Sequence, residues 1–305
     1  MKSFFEQMFF VPKWYHHPFI IGFLPISWTY GVSMWLRRKF AKAVRYKTPI
    51  ISVGNLIVGG SGKTPFVVSL ASRYTDVVII SRGYGRQSEG LVEVSRKGKI
   101  LVDVKQSGDE PMLMAMSLPE ASVIVSEDRA QAIDFVEKRG VSIIILDDGF
   151  NQVKIDKYDI LLEPDKILNN YAFPSGPFRE FFSTRKEADL ILKEGKEFTR
   201  KVTIEDVTDR MVLVTAISNP KRLDKYLPQN VVQKMYYEDH AYFDEEVLQK
   251  LLEKNQASSI LCTPKDSVKM VGFKLAISEM KLELAIKNEI FTHIDEYIKG
   301  YDCEK

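Results

Sequence analysis

The sequence predicts an α/β fold: a doubly wound, mostly parallel β-sheet, followed by a smaller α/β domain at the C-terminal end. Between residues 49 and 194, near-continuous apolar runs such as "PIISVGNL" and "VSIIILDDGF" alternate with helical stretches. This alternation is typical of a parallel sheet whose two faces are both covered by helices. After about residue 200 the pattern becomes charged and alternating, which indicates a second domain.

The elements of the core follow one another in a simple order. "PIISVGNL", "DVVIISRGYG", "ASVIVSE", "VSIIILDDGF", "YDILLEP" and "ADLILKE" are predicted strands, and "GKTPFVVSLASRY", "DEPMLMAMSL" and "RAQAIDFVEKRG" are predicted helices. In the C-terminal part, "KEFTRKVTIEDV" predicts a connecting strand and "DEEVLQKLLEKN" a helix. Ligands of such sheets bind outside the carboxyl ends of the strands, where most of the polar motifs stand.

Length and composition limit the class of protein. The chain has 305 residues, is 45% hydrophobic and 28% charged, and carries a formal net charge of +2. A packed core of two domains is expected, and nucleic acid is not expected as a partner. Cys262 and Cys303 are too few and too far apart for a disulfide framework or a zinc site. We expect three regions: 1–47, a membrane-associated segment; 48–204, the core; and 205–305, a domain that closes over the site.

The N-terminal segment is unlike the rest of the chain. Residues 16–36 contain no Lys, Arg, Asp or Glu, but Pro18 and Pro25 interrupt the run. Its length is about that of a bilayer span, while the features of a secretory signal are missing. Six basic residues follow directly: Arg37, Arg38, Lys39, Lys42, Arg45 and Lys47. This pattern favours a helix lying in the membrane interface, with a helix packed on the core or a true span as the alternatives.

The stretch "VGGSGKTPF", residues 58–66, follows a strand and opens a helix. Gly62-Lys63-Thr64 matches the second half of a P-loop, but Ile57 stands where the first glycine is usual. Backbone N–H groups there could surround a phosphate. Lys63 would neutralise the β- and γ-phosphates, and the Thr64 hydroxyl would bind Mg²⁺. The alternative is a plain turn with an exposed lysine.

Two pairs of adjacent acidic residues are further candidates for the site. Asp147 and Asp148 end a buried strand, as a Mg²⁺ site in a nucleotide-binding core requires, although a turn or helix cap would also place them there. Asp109 and Glu110 of "SGDEP" begin a helix. They are either part of its N-terminal cap or carboxylates that act as a base at the phosphate site.

Three further polar motifs are candidates for the site. Arg179 and Glu180 lie in the Pro/Gly-rich stretch "FPSGPFREFF", and Arg129 lies in "SEDR". Each forms either a surface ion pair or a contact to phosphate or metal. His240 in "YYEDHAYF" is either a packed histidine or a partner in acid–base chemistry.

Together these motifs closely resemble the tetraacyldisaccharide 4'-kinases of lipid A biosynthesis. The resemblance is carried, in order, by "LPISWTYG", "VGNLIVGGSGKTP", "SRGYG", "GDEP", "DDGF", "PSGPFRE", "EDH" and "TPKDSVK", which extend from residue 24 to residue 269. That family also lacks the first P-loop glycine. The resemblance implies a P-loop NTPase-like kinase that transfers the γ-phosphate of ATP, with Mg²⁺, to the 4'-hydroxyl of a tetraacyldisaccharide 1-phosphate, giving lipid IVA.

The resemblance also implies the location and the partners. It places the chain at the cytoplasmic face of the inner membrane of a Gram-negative bacterium, on anionic lipids. The lipid disaccharide is the expected substrate, and neither nucleic acid nor an obligate protein partner is expected.

Site residues are carried over by motif. Asp109, His240 and Lys63 are implied as catalytic, the first two as a pair that activates the sugar hydroxyl. The implied metal site is Thr64, Asp147, Asp148 and Glu180. The implied nucleotide site is Ile57, Val58, Gly59, Gly60, Ser61, Gly62, Lys63, Thr64, Arg129 and Arg179.

Three places depart from the family pattern. Asn151-Gln152 stand where Gln-His is usual after "DDGF", Pro264 replaces a Glu, and Ala216 and Ser218 stand where glycines are common.

Other classes fit the sequence less well. A P-loop GTPase switch would need an Asn-Lys-x-Asp motif, which the sequence lacks. A non-catalytic scaffold would be expected to lose the motif carboxylates, but Asp109, Asp147, Asp148 and Glu180 are all present. A kinase of a soluble sugar would leave the aromatic N-terminus unexplained.

Overall fold

The structure is a computed structural model that describes residues 2–59 and 62–303. Gly60 and Ser61, two residues of the predicted phosphate loop, lie outside the described residues. The chain divides into two compact units. Unit 1 comprises Met1–Phe66, Glu137–Thr199 and Ile286–Lys305, and unit 2 comprises Val67–Val136 and Arg200–Ala285.

The helices and strands, numbered along the chain, have the following bounds. The helices are α1 (Lys2–Phe10), α2 (His17–Lys39), α3 (Lys63–Ala71), α4 (Val104–Ser107), α5 (Asp109–Ser117), α6 (Arg129–Glu137), α7 (Glu245–Asn255), α8 (Pro264–Ser267) and α9 (Asn288–Cys303). The strands are β1 (Ile50–Gly54), β2 (Val77–Ser81), β3 (Val92–Arg96), β4 (Lys99–Ile100), β5 (Ser122–Val125), β6 (Ile143–Asp147), β7 (Tyr158–Glu163), β8 (Leu190–Lys193), β9 (Phe198–Glu205), β10 (Met211–Thr215), β11 (Val231–Tyr236), β12 (Ser259–Cys262) and β13 (Ile277–Ile286).

Unit 1 is built on parallel strands in the order β6, β1, β7, β8. Every residue of β1 and β6 is buried, as expected for strands covered on both faces. The register pairs Val53 with Asp147, so the carboxyl ends of β1 and β6 lie side by side. The phosphate loop and the acidic pair therefore begin at one edge of the sheet.

Unit 2 contains strands of two sheets. In the first, β2 is parallel to β5, and β3 pairs antiparallel with both β5 and β4. In the second, β11, β10, β12 and β13 are parallel and lie in that order. Leu248 and Leu252 of α7 pack on the second sheet in one apolar cluster with Val212, Val214 and Ile260. The predicted fold class is confirmed: a mostly parallel sheet, a second sheet in a smaller domain, and an N-terminal apolar helix.

Helix α2 packs on the rest of unit 1 through one narrow stripe of buried residues. Ile20, Ser27 and Gly31 are its buried residues, and they recur at the spacing of one helix face. A Cβ atom on Gly31 would lie 2.3 Å from the Phe181 ring, so the close approach requires glycine. The helical segment Trp14–Lys39 is long and apolar enough to cross a membrane by length and composition. Only 17% of its most apolar window is buried.

Candidate active site

The phosphate loop connects β1 to α3 in unit 1. Gly59 and Gly62 have φ values of +102° and +82°, a conformation that glycine adopts without strain and that lets successive N–H groups turn toward an anion. Ile57 is buried against Phe150 and Phe178 and forms a β-bridge with Phe178. The absence of the first P-loop glycine therefore has a physical reason. The side chain of Ile57 makes an apolar contact at this position, and the backbone there forms a β-bridge instead of a turn.

Lys63 begins α3 and faces two polar partners. Its Nζ donates to Asn55 Oδ1 at 3.0 Å and lies 3.4 Å from Asp148 Oδ1. Thr64 is half-buried in the first turn of the same helix. The lysine and the hydroxyl are thus held beside the carboxyl end of β1, where a nucleotide's phosphates would bind.

Asp148 lies between two cations. Arg179 donates through one guanidinium nitrogen to both carboxylate oxygens, at 3.0 and 3.3 Å. Burial alone would raise the pKa of Asp148, but Lys63 and Arg179 outweigh that effect and hold the pKa below its ordinary value. Asp148 is therefore ionised, and the three side chains form one charged cluster.

The candidate metal ligands fall into two groups. Asp147, buried at the end of β6, and Asp148 follow each other directly and, with the Thr64 hydroxyl, offer the oxygen ligands that Mg²⁺ prefers. Glu180 instead accepts hydrogen bonds from Arg38 on both of its oxygens, at 3.0 and 3.1 Å. Within the described part of the chain, no three His, Cys, Asp or Glu side chains form a metal-binding group. The oxygen donors of Thr64, Asp147 and Asp148 are of the kind that would hold a Mg²⁺ ion.

Arg129 begins α6 in unit 2 and is almost completely buried. Its guanidinium donates to the carbonyl of Ser126.

Asp109 and His240 are in direct contact in unit 2. Asp109 is the first residue of α5, whose N-cap is Gly108, and its Oδ2 lies 3.0 Å from His240 Nδ1. Burial raises the pKa of Asp109, but the hydrogen bond to His240 and the charges of Lys269 and Lys265 lower it further than burial raises it. The net pKa is below the ordinary value, so the carboxylate is ionised. The arrangement is that of a histidine oriented by an acidic partner.

Several contacts at these two sites were not predicted from the sequence. Tyr84 is exposed, and its ring centroid lies 5.3 Å from that of His240. Lys265 Nζ lies 3.5 Å from His240 Nε2, and Lys269 Nζ lies 3.5 Å from Asp109 Oδ2. The motifs "SRGYG" and "TPKDSVK" were the available signals for these three residues. Asn55 lies in the motif "VGNLIVGGSGKTP" and Arg38 in the basic run after residue 36, but neither was assigned to the site.

Known proteins resemble this chain over most of its length. Residues 20–299 match the family model described as Tetraacyldisaccharide-1-P 4'-kinase. A curated relative named Tetraacyldisaccharide 4'-kinase, from Helicobacter pylori strain J99, is 45% identical over 99% of this chain and 97% of its own. A relative of the same name from Aliarcobacter butzleri is 41% identical over 97% of both chains.

A solved structure is similar as well. The crystal structure of LpxK from Aquifex aeolicus in complex with ATP has a TM-score of 0.79 and 28% sequence identity, and the match covers 93% of this chain and 99% of that one. The chain belongs to the tetraacyldisaccharide-1-P 4'-kinase family.

Proposed function

We propose that this chain transfers the γ-phosphoryl group of ATP to the 4'-hydroxyl of a tetraacyldisaccharide 1-phosphate, the step of lipid A biosynthesis that gives lipid IVA. The observation that carries the proposal is the 3.0 Å contact between Asp109 and His240. A kinase of an alcohol must take a proton from a poorly acidic hydroxyl, and an aspartate–histidine pair supplies an acceptor for it. The family and the phosphate loop support the same reaction.

The loop between β1 and α3 would hold the phosphates of ATP. Backbone N–H groups of the loop at 57–64 would bind them, and Lys63 and Arg179 would offset their negative charge. Both cations are already positioned by Asp148, so little reorganisation is needed when charge develops in the transition state. Arg129 is a further candidate for the phosphates. A bound Mg²⁺ would neutralise charge on the β- and γ-phosphates, and Thr64, Asp147, Asp148 and Glu180 are the residues proposed to hold it.

The acceptor hydroxyl would be activated by the Asp109–His240 pair. As its oxygen forms a bond to the γ-phosphorus, the bond from that phosphorus to the β–γ bridging oxygen breaks and ADP leaves. The hydroxyl proton passes to the Asp109–His240 pair. Asp109 alone is a weak base because its pKa is lowered. Its contact with Nδ1 orients the imidazole and stabilises the positive charge that the ring gains when it accepts a proton.

The N-terminal helices would hold the enzyme at the membrane surface. Trp14, Trp28 and Phe40 are 83%, 65% and 74% exposed, and aromatic side chains of this kind insert at the level of lipid headgroups. We propose that the enzyme lies on the cytoplasmic face of the inner membrane, with anionic lipids as its partners.

The way α2 packs favours a helix that lies on the membrane over one that crosses it. Ser27 exchanges hydrogen bonds with the hydroxyl and N–H of Ser175, both at 2.8 Å. The Ser175 hydroxyl also donates to the carbonyl of Ile20 at 2.9 Å. A helix fixed along its length to a polar loop cannot pass into hydrocarbon without losing these bonds. A helix packed on the core and a helix lying in the membrane interface are therefore compatible alternatives. The same helix packs on the rest of unit 1 with one face and exposes the other.

The decisive experiment is transfer of labelled γ-phosphate from ATP to tetraacyldisaccharide 1-phosphate in detergent micelles. We expect a labelled lipid that carries a second phosphate, formed by the wild type and not by Asp109→Asn. A folded wild-type protein that hydrolyses ATP but labels no lipid under these conditions would overturn the proposal.

A further inference from the structure

Lys269 is a buried cation beside the Asp109–His240 pair. Its side chain is 0% exposed. The ammonium lies 3.0 Å from the carbonyl oxygen of Ala241, 3.3 Å from Asp266 Oδ1 and 3.5 Å from Asp109 Oδ2. The first contact is a hydrogen bond and the other two are ion pairs. Because its side chain has no exposed surface, Lys269 is closed off from substrate and nucleotide.

Asp266 fixes this lysine to the end of the second sheet. It is also 0% exposed. Its carboxylate accepts from the Thr215 hydroxyl at 2.6 Å, from the Thr263 hydroxyl at 2.7 Å and from the N–H of Ala216 at 3.0 Å. These partners end β10 and begin the turn into α8. A carboxylate that accepts from this many donors is held in one orientation, which makes it a rigid support for Lys269.

The backbone of His240 is held on both sides by the same group of residues. His240 has a φ of +66°, a left-handed conformation that is uncommon outside glycine and needs support from its surroundings. Its N–H donates to the carbonyl of Ala216 at 3.1 Å, and the N–H of Ala216 is bound by Asp266. The next carbonyl, that of Ala241, accepts from Lys269. The position of the imidazole thus depends on Asp266 and Lys269.

We propose that Lys269, held by Asp266, is the positioning residue of the Asp109–His240 pair. The inference rests on the proposed function, because it assigns a role within the same acceptor site. Lys269 lies beside the carboxylate oxygen that contacts Nδ1, so it keeps Asp109 ionised and aimed at the ring. It also fixes the loop that carries His240. Lys269 itself touches neither the sugar nor ATP.

The charges around the pair determine how activity should respond to pH. Asp109 faces His240, Lys269, Lys265 and the Tyr242 hydroxyl, and His240 also faces Asp239, at 3.8 Å. Burial raises the pKa of Asp109, and Lys269 is one of the groups that lower it. Removing the ammonium therefore raises the pKa of Asp109. Because Asp109 and His240 are in contact and act as one acid–base unit, loss of the neighbouring positive charge should move the acid limb of the kcat profile to higher pH.

The test compares the full-length wild type with Lys269→Met, Lys269→Arg and the control Lys157→Met. Lys157 is also buried and ion-paired, at 2.8 Å from Asp159, but it lies in unit 1 outside the candidate site. For each protein, kcat, the KM for ATP and for lipid, and the melting temperature are measured in micelles, with kcat followed across pH.

We expect Lys269→Met to lose about 10²-fold in kcat, the scale of a misplaced catalytic group. Its acid limb should move to higher pH, with little change in the KM for ATP. Lys269→Arg keeps the charge and should retain the wild-type acid limb. Lys157→Met should lose thermal stability with its acid limb in place. If Lys269→Met does not fold, Lys269→Gln keeps a donor for Ala241 and should show the same shift.

Two results separate failure of this inference from failure of the proposed function. Suppose that Asp109→Asn is inactive, while Lys269→Met keeps the acid limb of the wild-type kcat profile and shows only a lower melting temperature. Lys269 is then merely structural, and the inference is wrong. If Asp109→Asn keeps the wild-type kcat, the pair has no catalytic role, and the proposed function of the site fails together with the inference.

Discussion

Arg38 on helix α2 donates hydrogen bonds to both carboxylate oxygens of Glu180, at 3.0 and 3.1 Å. The same guanidinium donates to the carbonyl of Phe150 at 3.2 Å and lies 4.6 Å from the centre of its ring. The sequence placed Arg38 among the residues expected to attract lipid headgroups and Glu180 among the metal ligands. In the structure each is the partner of the other, and the pair joins the N-terminal helix to the loop that carries Arg179.

Breaking this pair should destabilise the fold. The side chains of Arg38 and Glu180 are only 12% and 4% exposed, and removing one partner of a buried ion pair leaves the other charge uncompensated, at a cost on the order of 3 kcal/mol. We expect Arg38→Met to lower the free energy of unfolding by about this amount in a denaturant titration. Lys42→Met, at an exposed position three residues after helix α2, is the control and should change it little. Equal unfolding curves for the two variants would contradict the prediction.

Lys63→Ala should remove most of the phosphoryl transfer. The ammonium stabilises charge that develops on the phosphates, and loss of one such group costs roughly 10²–10³ in rate. The measurement is kcat at saturating Mg-ATP and lipid, with Lys157→Ala as the control for loss of a lysine from an ion pair. Near-normal turnover by Lys63→Ala would show that the loop at 57–64 does not hold the reacting phosphates.

Asp109 and His240 should behave as one unit. Removing either member of an acid–base pair costs about 10²–10⁴ in rate. Removing the second member as well should then lower the rate little further. We therefore expect Asp109→Ala, His240→Ala and the double variant to have similar kcat values, with little change in the apparent affinity for ATP. The alternative is that both residues only support the fold. In that case the losses would add in free energy and would follow the decrease in melting temperature.

Exposed aromatic residues of the N-terminal helices should hold the protein on vesicles. Burying one large apolar side chain contributes roughly 1.5–3 kcal/mol, so Trp14→Ser and Trp28→Ser should each weaken binding to anionic vesicles at least about tenfold. Val271→Ser is the control, since Val271 is 67% exposed but lies in unit 2. Unchanged sedimentation of both tryptophan variants with the vesicles would argue for a helix that only packs on the core.

The structure also shows which basic side chains after residue 36 are exposed and can contact lipid headgroups. Arg37 donates to the carbonyl of Asn151, and Arg38 is held by Glu180. Lys39, Lys42 and Lys47 are exposed. Reversing these three lysines to Glu should weaken vesicle binding by about 1 kcal/mol per residue while the protein stays folded. If binding at physiological salt is unaffected, electrostatic attraction contributes nothing measurable to the association.

The fold class follows from the amino-acid sequence alone, because it depends on local patterns of apolar residues. Short continuous apolar runs such as 143–146 are typical of strands buried on both faces, and the glycines at 59 and 62 indicate a turn before a helix. The family motifs then named the residues of the candidate site, including Asp109 and His240, which are separated by 131 positions. A hairpin was missed, although Lys97 and Gly98, both with positive φ, form the two-residue turn between β3 and β4 that such hairpins favour.

The pairing of charged side chains, by contrast, is visible only in the folded chain. Arg38 and Glu180 are 142 positions apart, and no local pattern distinguishes a basic residue that faces lipid from one that is fixed to a carboxylate. The same holds for two partners of Lys269, since Asp109 and Ala241 are distant from it in the sequence, whereas Asp266 is only three positions away. Hydrophobic periodicity specifies which face of an element is buried. The identity of an ion-pair partner depends on how those faces pack, and it becomes visible only when the segments are placed together.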